Sequence, residues 1–172
     1  QALIDLCRAA GLNDYHVTVP LASNQPDSPL TQGRGAIGTP SVGLVSRFEI
    51  INTQLLTQMP AIALLDVPDV GLYQQFNRPP LIADIRLPNG MVVTVIVAHL
   101  KSKRPEFLEN AQGEPLEDRN DPLIRVRAKL RSLCMRAAEA AGIRQVVIEK
   151  LSHNNHPLIL LGDMNDVMQS VT

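Results

Sequence analysis

Two apolar segments joined by a tight turn sequence, residues 81–87 and 91–98, constrain the fold of this chain more than any other feature. The first alternates apolar and polar side chains, which predicts a half-exposed β-strand. The second is almost continuously apolar and β-branched, which predicts a strand buried on both faces. Between them, Pro88-Asn89-Gly90 supplies residues that tolerate positive φ angles. The two segments are therefore expected to form a β-hairpin.

A long helix is predicted after the hairpin. Asp121 is a suitable N-cap and Pro122 a suitable first-turn residue, and the helix must end before Pro157. One face of this helix is marked by apolar residues at helical spacing, namely Leu123, Val126, Leu130, Leu133, Ala137 and Ala141. A shorter helix is predicted over residues 2–10, where Gly11 supplies a C-terminal stop.

Further strands are predicted over residues 15–19, 41–46 and 49–59, the last two as neighbours, and a buried strand over 158–161. Residues 20–40 and 103–120 are predicted to be loops. A hairpin, a long helix and another buried strand predict a sheet covered by helices, in the α/β (α+β) class. The length of 172 residues and the lack of a linker predict one domain, residues 1–172.

The charge balance limits how this protein could bind a polyanion. The formal net charge is −1, whereas domains that hold nucleic acid by bulk electrostatics usually carry a basic excess. Any polyanion must therefore be held by a local cluster, such as Lys101, Lys103 and Arg104. A second basic set is interpreted as a solvated helix face; it comprises Arg125, Arg127, Lys129, Arg131 and Arg136.

Hydropathy and cysteine content bear on membrane topology and location. No apolar segment approaches the roughly 18 residues needed to cross a bilayer, so no membrane span is expected. The two cysteines, Cys7 and Cys134, are interpreted as free, buried thiols. They favour a reducing compartment, and hence a cytoplasmic location.

Polar groups suited to phosphate chemistry follow two of the predicted strands. Residues 158–161 lead directly into Gly162-Asp163-Met164-Asn165-Asp166, and residues 91–97 lead into Ala98-His99-Leu100-Lys101-Ser102-Lys103. A carboxylate, a carboxamide, an imidazole and an ammonium group are thus expected at the ends of two strands. Hydrolysis of a phosphodiester needs such groups, because it requires an activated water and positive charge around the developing oxyanions.

These two motifs, together with Val42-Gly43-Leu44-Val45-Ser46-Arg47-Phe48, resemble in order and spacing the signatures of the endonuclease/exonuclease/phosphatase superfamily, which includes the DNase I-like nucleases. The resemblance implies a four-layer α/β/β/α sandwich and a divalent metal, Mg²⁺ or Mn²⁺, with oxygen ligands. The family's metal-binding glutamate would precede Gln1, and its closing Ser-Asp-His motif would follow Thr172. The resemblance thus implies the central part of a domain, incomplete at both ends.

The resemblance also assigns roles to residues. Asp163 would orient or deprotonate the attacking water and is a possible metal ligand, and Asn165 would hold the phosphate or the nucleophile. The alternative is that both only shape an Asx turn after the strand. Asp166 suits a turn or helix-cap role at least as well.

Three further residues are candidate phosphate contacts. His99 is expected to touch the phosphate, the alternative being a hydrogen-bonded core histidine. Lys101 is the expected anion ligand of its motif, whereas its basic neighbours are expected to be exposed. Arg78 resembles an arginine that some nucleases of the family place near the site, although Pro79 stands where DNase I-like enzymes have an acidic residue.

The function expected from these residues is metal-dependent, nuclease-like hydrolysis of a phosphodiester, with a nucleic acid as one candidate substrate. The alternative is a non-catalytic phosphate- or nucleic-acid-binding module, or an inactive fragment of such an enzyme. The 172-residue chain by itself is expected to be inactive, because the family's glutamate and closing histidine are not in it. Association through an exposed sheet edge or core surface is also expected.

Overall fold

The computed structural model describes residues 2–19 and 42–166, which form a mixed α/β structure. The α-helices of these ranges are α1 (Ala2–Ala9) and α2 (Pro122–His153). The strands are β1 (His16–Thr18), β2 (Leu44–Ser46), β3 (Glu49–Leu55), β4 (Leu65–Val67), β5 (Gly71–Tyr73), β6 (Leu81–Arg86), β7 (Val92–His99) and β8 (Leu158–Asp163). The predicted mixture of helices and sheets is confirmed, and the predicted loop over residues 20–40 lies outside the described residues.

The main sheet has four strands in the order β3-β6-β7-β8. β6 and β7 form the predicted antiparallel hairpin, in which Gly90 has a φ of 84° and the amide of Leu87 donates to the carbonyl of Met91 over 2.8 Å. The prediction of a half-exposed β6 is wrong, because most of its residues are buried. Asp84 is the one polar residue of β6 before the last position of the strand, and it accepts a hydrogen bond from the hydroxyl of Thr94 on β7. Because this polar group has a partner, this part of the sheet can be buried.

The prediction that β2 and β3 are neighbours is also wrong. β3 pairs with β6 in the main sheet, whereas β2 pairs with β1 in a separate two-stranded sheet. The chain bends between β2 and β3, where the amide of Phe48 donates to the hydroxyl of Ser46. The bend separates the two strands. β3 then pairs with β6, beginning with Glu49 opposite Arg86. The side chains of these two residues also form an ion pair of 2.9 Å.

Helix α2 has the predicted ends but buries a different face. The carboxylate of Asp121 accepts from the amide of Leu123 over 2.8 Å, and the helix ends at His153. The predicted apolar face, which includes Leu123, is exposed. The buried face contains small residues that permit close packing, such as Gly142, where an added Cβ would lie 3.1 Å from the ring of Phe76.

The buried face of α2 also carries charged residues. Arg131 and Arg136 are only 1% and 8% exposed, so their assignment to a solvated face is wrong. Arg131 is buried because it has partners on three sides. Its guanidinium contacts the carboxylates of Asp69 and Glu117 and the carbonyls of Pro68 and Glu106. A buried charge with this many partners is tolerated, and here it ties α2 to the segment that follows β7.

The prediction of a buried strand at residues 158–161 is wrong in one respect. β8 is present and runs parallel to β7, but Ile159, Leu160 and Leu161 are 40–49% exposed. Among the described residues β8 is an edge strand, with β7 on one side only. Association through this edge stays a prediction. No helix within residues 2–19 and 42–166 is long and apolar enough to cross a membrane.

Candidate functional site

The parallel pairing of β7 and β8 brings the two strand-end motifs together. His99 and Asp163 are register partners at the carboxyl ends of these strands. The Nε2 atom of His99 lies 3.7 Å from Oδ2 of Asp163, and the two side chains are 29% and 62% exposed. This distance is too long for a direct hydrogen bond, but it allows one oxygen atom to contact both groups.

Gly162 makes this close register possible. Its φ is +130°, and a Cβ atom at this position would lie 1.9 Å from the carbonyl oxygen of Ala98. No side chain fits there, so glycine lets the backbone of β8 approach β7 just before Asp163. The pairing then continues past the strand end, where the amide of Leu100 donates to the carbonyl of Asp163 over 2.9 Å.

Asp163 and Asn165 form an Asx turn, which was the alternative to their proposed roles with the water and the phosphate. The amide of Asn165 donates to Oδ1 of Asp163 over 2.8 Å, and Asn165 has a φ of 51°. The turn does not engage the side chain of Asn165, whose Nδ2 donates to the carbonyl of Leu100 over 2.7 Å. Asp166, in contrast, pairs with Lys103 at 2.7 Å and lies outside this arrangement.

Arg78, in the segment before β6, binds the same carbonyl group as Asn165. Its guanidinium donates a hydrogen bond to the carbonyl of Leu100 over 3.2 Å. Its Nε is buried and has no hydrogen-bond partner, and Arg78 makes no ion pair with any described residue. A guanidinium without a carboxylate partner among the described residues is suited to an anionic ligand.

Lys101, which was predicted to be an anion ligand, is buried and already has an ion-pair partner. It is 4% exposed, and its ammonium group contacts the carboxylate of Glu106 at 2.5 Å. Its charge is therefore neutralised within the protein, whereas Lys103 and Arg104 are exposed as expected.

These residues line one cleft with a volume of about 500 Å³. His99, Asp163, Asn165 and Arg78 lie along it, and its other wall is formed by the loop that follows β7. That loop includes Glu106, Arg104 and Arg119, and Arg119 pairs with Glu109 at 2.6 Å. Sequence reasoning missed Glu106, which has no strand or motif beside it to mark it.

The surroundings of His99 lower its pKa. Burial disfavours the charged imidazolium, the guanidinium of Arg78 adds to this effect, and the carboxylate of Asp163 opposes it. The ring is therefore mainly neutral at neutral pH. A neutral imidazole donates one hydrogen bond and accepts another, so His99 can contact a phosphoryl oxygen or take up a proton.

A buried carboxylate, Glu139 of α2, lies beneath the site and was not found from the sequence. It is 1% exposed and accepts hydrogen bonds from the hydroxyl of Tyr73 (2.7 Å) and from the amides of Asn77 (3.0 Å) and Lys101 (2.6 Å). Burial raises its pKa, and these donors oppose the rise. Its position in a helix rich in alanine gave no sign of this role.

The metal implied by the family resemblance has no ready-made site among residues 2–19 and 42–166. No three His, Cys, Asp or Glu residues of these ranges are grouped so that they could hold a metal ion. Asp163 would offer a single carboxylate, so a Mg²⁺ ion there would take its other ligands from water, from substrate or from residues outside these ranges. The described residues alone therefore do not form a complete metal centre.

Comparison of the chain with protein-family models, with curated proteins and with solved structures found no match.

Proposed function

We propose that this domain is a nuclease-like phosphodiester hydrolase of the endonuclease/exonuclease/phosphatase type, with the four-layer α/β/β/α sandwich of that superfamily. The observation that carries the proposal is that His99 and Asp163 lie 3.7 Å apart in a cleft that is also lined by Arg78, a cation with no ion pair to any described residue. A base, a neutral imidazole and a cation beside one another match the needs of phosphoryl chemistry.

The proposed roles follow from the contacts of each group. Asp163 uses Oδ1 in the turn and keeps Oδ2 beside His99, where it would orient or deprotonate a water. His99 would donate from its neutral ring to a non-bridging phosphoryl oxygen. Arg78 would supply positive charge to the same phosphate, and Asn165, already fixed by Leu100, would position the phosphate or the water.

A divalent metal, Mg²⁺ or Mn²⁺, is part of the proposal only through the motif resemblance. When bound, it would polarise the phosphoryl oxygens and lower the pKa of a coordinated water. The roles given above belong to the side chains of this chain, and none depends on a ligand set that the described residues lack.

A second candidate is a phosphate-binding module without catalysis. It is favoured by the hydrogen bonds of the Asx turn. Oδ1 of Asp163 already accepts from the backbone amide of Asn165, and the side-chain amide of Asn165 already donates to the carbonyl of Leu100. The two candidates share the ligand and differ in turnover. Release of p-nitrophenol from bis(p-nitrophenyl) phosphate by the full-length gene product with Mg²⁺ or Mn²⁺ supports the hydrolase, whereas binding without release by that same protein supports the module.

Ligand binding is tested with two arginines that line the same cleft. Arg78→Gln should weaken binding of bis(p-nitrophenyl) phosphate about tenfold or more, because a charge-assisted hydrogen bond contributes roughly 1.5–3 kcal/mol. Arg119→Gln is the matched control, since Arg119 is already paired with Glu109. Calorimetric titration measures both. Equal affinities for the unmodified chain and the Arg78 variant would contradict the proposed site.

A further inference from the structure

We infer that Glu139 is the positioning residue that fixes the orientation of the peptide group between Leu100 and Lys101, and thereby the side chains of Arg78 and Asn165. This inference rests on the proposed function, because it concerns the phosphate contacts of that same cleft.

One peptide group connects Glu139 to the site. Its N–H belongs to Lys101 and donates to Oε2 of Glu139 over 2.6 Å. Its C=O belongs to Leu100 and accepts from both Arg78 and Asn165. Reversal of this peptide group would break all three bonds, so the carboxylate below the site keeps the carbonyl directed at the two side chains above it.

The same carboxylate also holds the chain next to Arg78. Oε1 of Glu139 accepts from the amide of Asn77, the residue that precedes Arg78. Glu139 is therefore bonded near both ends of the Arg78–Leu100 hydrogen bond. A hydrogen bond to a carboxylate is stronger than one to a neutral acceptor, and it polarises the peptide so that its carbonyl accepts more strongly.

The chemistry of the side chain explains why a glutamate is needed here. The three donors around it are two backbone amides and the hydroxyl of Tyr73, and a carboxylate can accept from all of them. Glutamine has nearly the same size, but its NH₂ group would face at least one donor. The substitution Glu139→Gln thus preserves packing and breaks the positioning.

The control is Tyr73→Phe. It removes a buried hydrogen bond to the same carboxylate, from a residue that is 2% exposed, but leaves the bonds to Asn77 and Lys101 in place. Both variants lose a buried interaction, so both should unfold at a lower temperature. Only Glu139→Gln should alter the site.

Two measurements test the inference. In the ligand-free chain, NMR should show that Glu139→Gln shifts the Nε–Hε signal of Arg78 and the side-chain amide signal of Asn165, while Tyr73→Phe leaves them in place. In calorimetric titration with bis(p-nitrophenyl) phosphate, Glu139→Gln should raise the Kd about tenfold, and Tyr73→Phe should change it less than twofold. Equal effects of both variants, or none from Glu139→Gln, would overturn the inference.

The two proposals fail in different ways. If the unmodified chain does not bind the phosphodiester, the proposed function fails, and the ligand-free signals still report on Glu139. If Glu139→Gln does not fold, the unmodified chain is used instead. Addition of the phosphodiester should then shift the amide signals of Lys101 and Asn77 together, and the absence of both shifts under saturating ligand would reject the inference.

Discussion

The two carboxylate oxygens of Asp163 have different neighbours, and this difference separates a structural role from a chemical one. Oδ1 accepts from the amide of Asn165, and Oδ2 lies 3.7 Å from His99. Asparagine keeps an oxygen for the turn but has no charge, so Asp163→Asn isolates the carboxylate function.

We expect Asp163→Asn to lower phosphodiester turnover by about 10²–10⁴, the range typical of a lost general base, with little change in unfolding temperature. Turnover is measured in the full-length gene product with Mg²⁺ or Mn²⁺ present, beside Asp163→Ala, which loses the turn as well. If only the alanine variant loses activity, the residue shapes the turn and does not act on the water.

The lowered pKa of His99 makes a second prediction at this scale. As the pH falls below 6.5, the ordinary pKa of a histidine, His99 in the unfolded chain takes up a proton, whereas His99 in the folded chain does so only at a lower pH. The contribution of His99 to stability is thus present above pH 6.5 and is lost as the pH falls toward the folded pKa. The imidazole signal in an NMR titration should show a midpoint below 6.5.

The causes of that shift can be separated by substitution. Arg78→Gln should raise the His99 midpoint, because it removes a neighbouring cation, and Asp163→Asn should lower it further. Arg104→Gln serves as the control. A midpoint that moves equally in the Arg78 and Arg104 variants would show that the cleft has only a general positive potential, not a specific contact.

At the scale of elements, the approach of β8 to β7 depends on Gly162. Gly162→Ala should lower the free energy of unfolding by about 2 kcal/mol or more, since the Cβ would lie 1.9 Å from the carbonyl oxygen of Ala98 and the φ is positive. Gly90→Ala is the control, because its φ is also positive but nothing lies within 4 Å. Urea denaturation compares them, and equal losses would argue against this contact.

The loop that forms the outer wall of the cleft is held to α2 by Arg131. Arg131→Met should lower the free energy of unfolding by about 3 kcal/mol, because it leaves Glu117 without its buried partner. Arg127→Met should cost under about 1 kcal/mol, since the Arg127 side chain is 56% exposed. Thermal denaturation distinguishes them, and similar losses would show that Arg131 is not the main tether.

Arg131 and its two carboxylate partners should also affect stability at acidic pH. Arg131 holds the pKa values of Asp69 and Glu117 below their ordinary range, chiefly by hydrogen bonding. The stability from these carboxylates is present above their ordinary pKa values and is lost as the pH falls through the folded ones. Arg131→Met should therefore flatten the fall in stability below about pH 4.5, as measured by urea denaturation at several pH values.

At the scale of the whole molecule, the near-zero net charge predicts a weak dependence of nucleic-acid binding on salt. With 16 basic against 17 acidic residues, contacts to phosphate should come mainly from Arg78 and Arg104 in the cleft. Two contacts to single-stranded DNA give a slope of about −1.4 for log K against log salt. Fluorescence anisotropy from 50 to 200 mM salt measures it, and a slope near −4 would indicate a wider basic surface.

The sequence by itself determined the local parts of this structure. The turn at Pro88-Asn89-Gly90, the start of α2 at Asp121 and the strand-end positions of His99 and Asp163 all depend on residues close together in the chain. Turn conformation, capping and periodicity are local effects, so they can be predicted from a short segment.

Only the tertiary structure decided which charges are buried and what they do. The face of α2 that packs inward carries Arg131 and Glu139, because their partners arrive from segments 14 to 66 positions away. Lys101, which was predicted to be an anion ligand, is buried beside Glu106, and that carboxylate neutralises it. The cost of burying a charge depends on the partners it meets after folding, and side-chain polarity in the sequence does not contain that information.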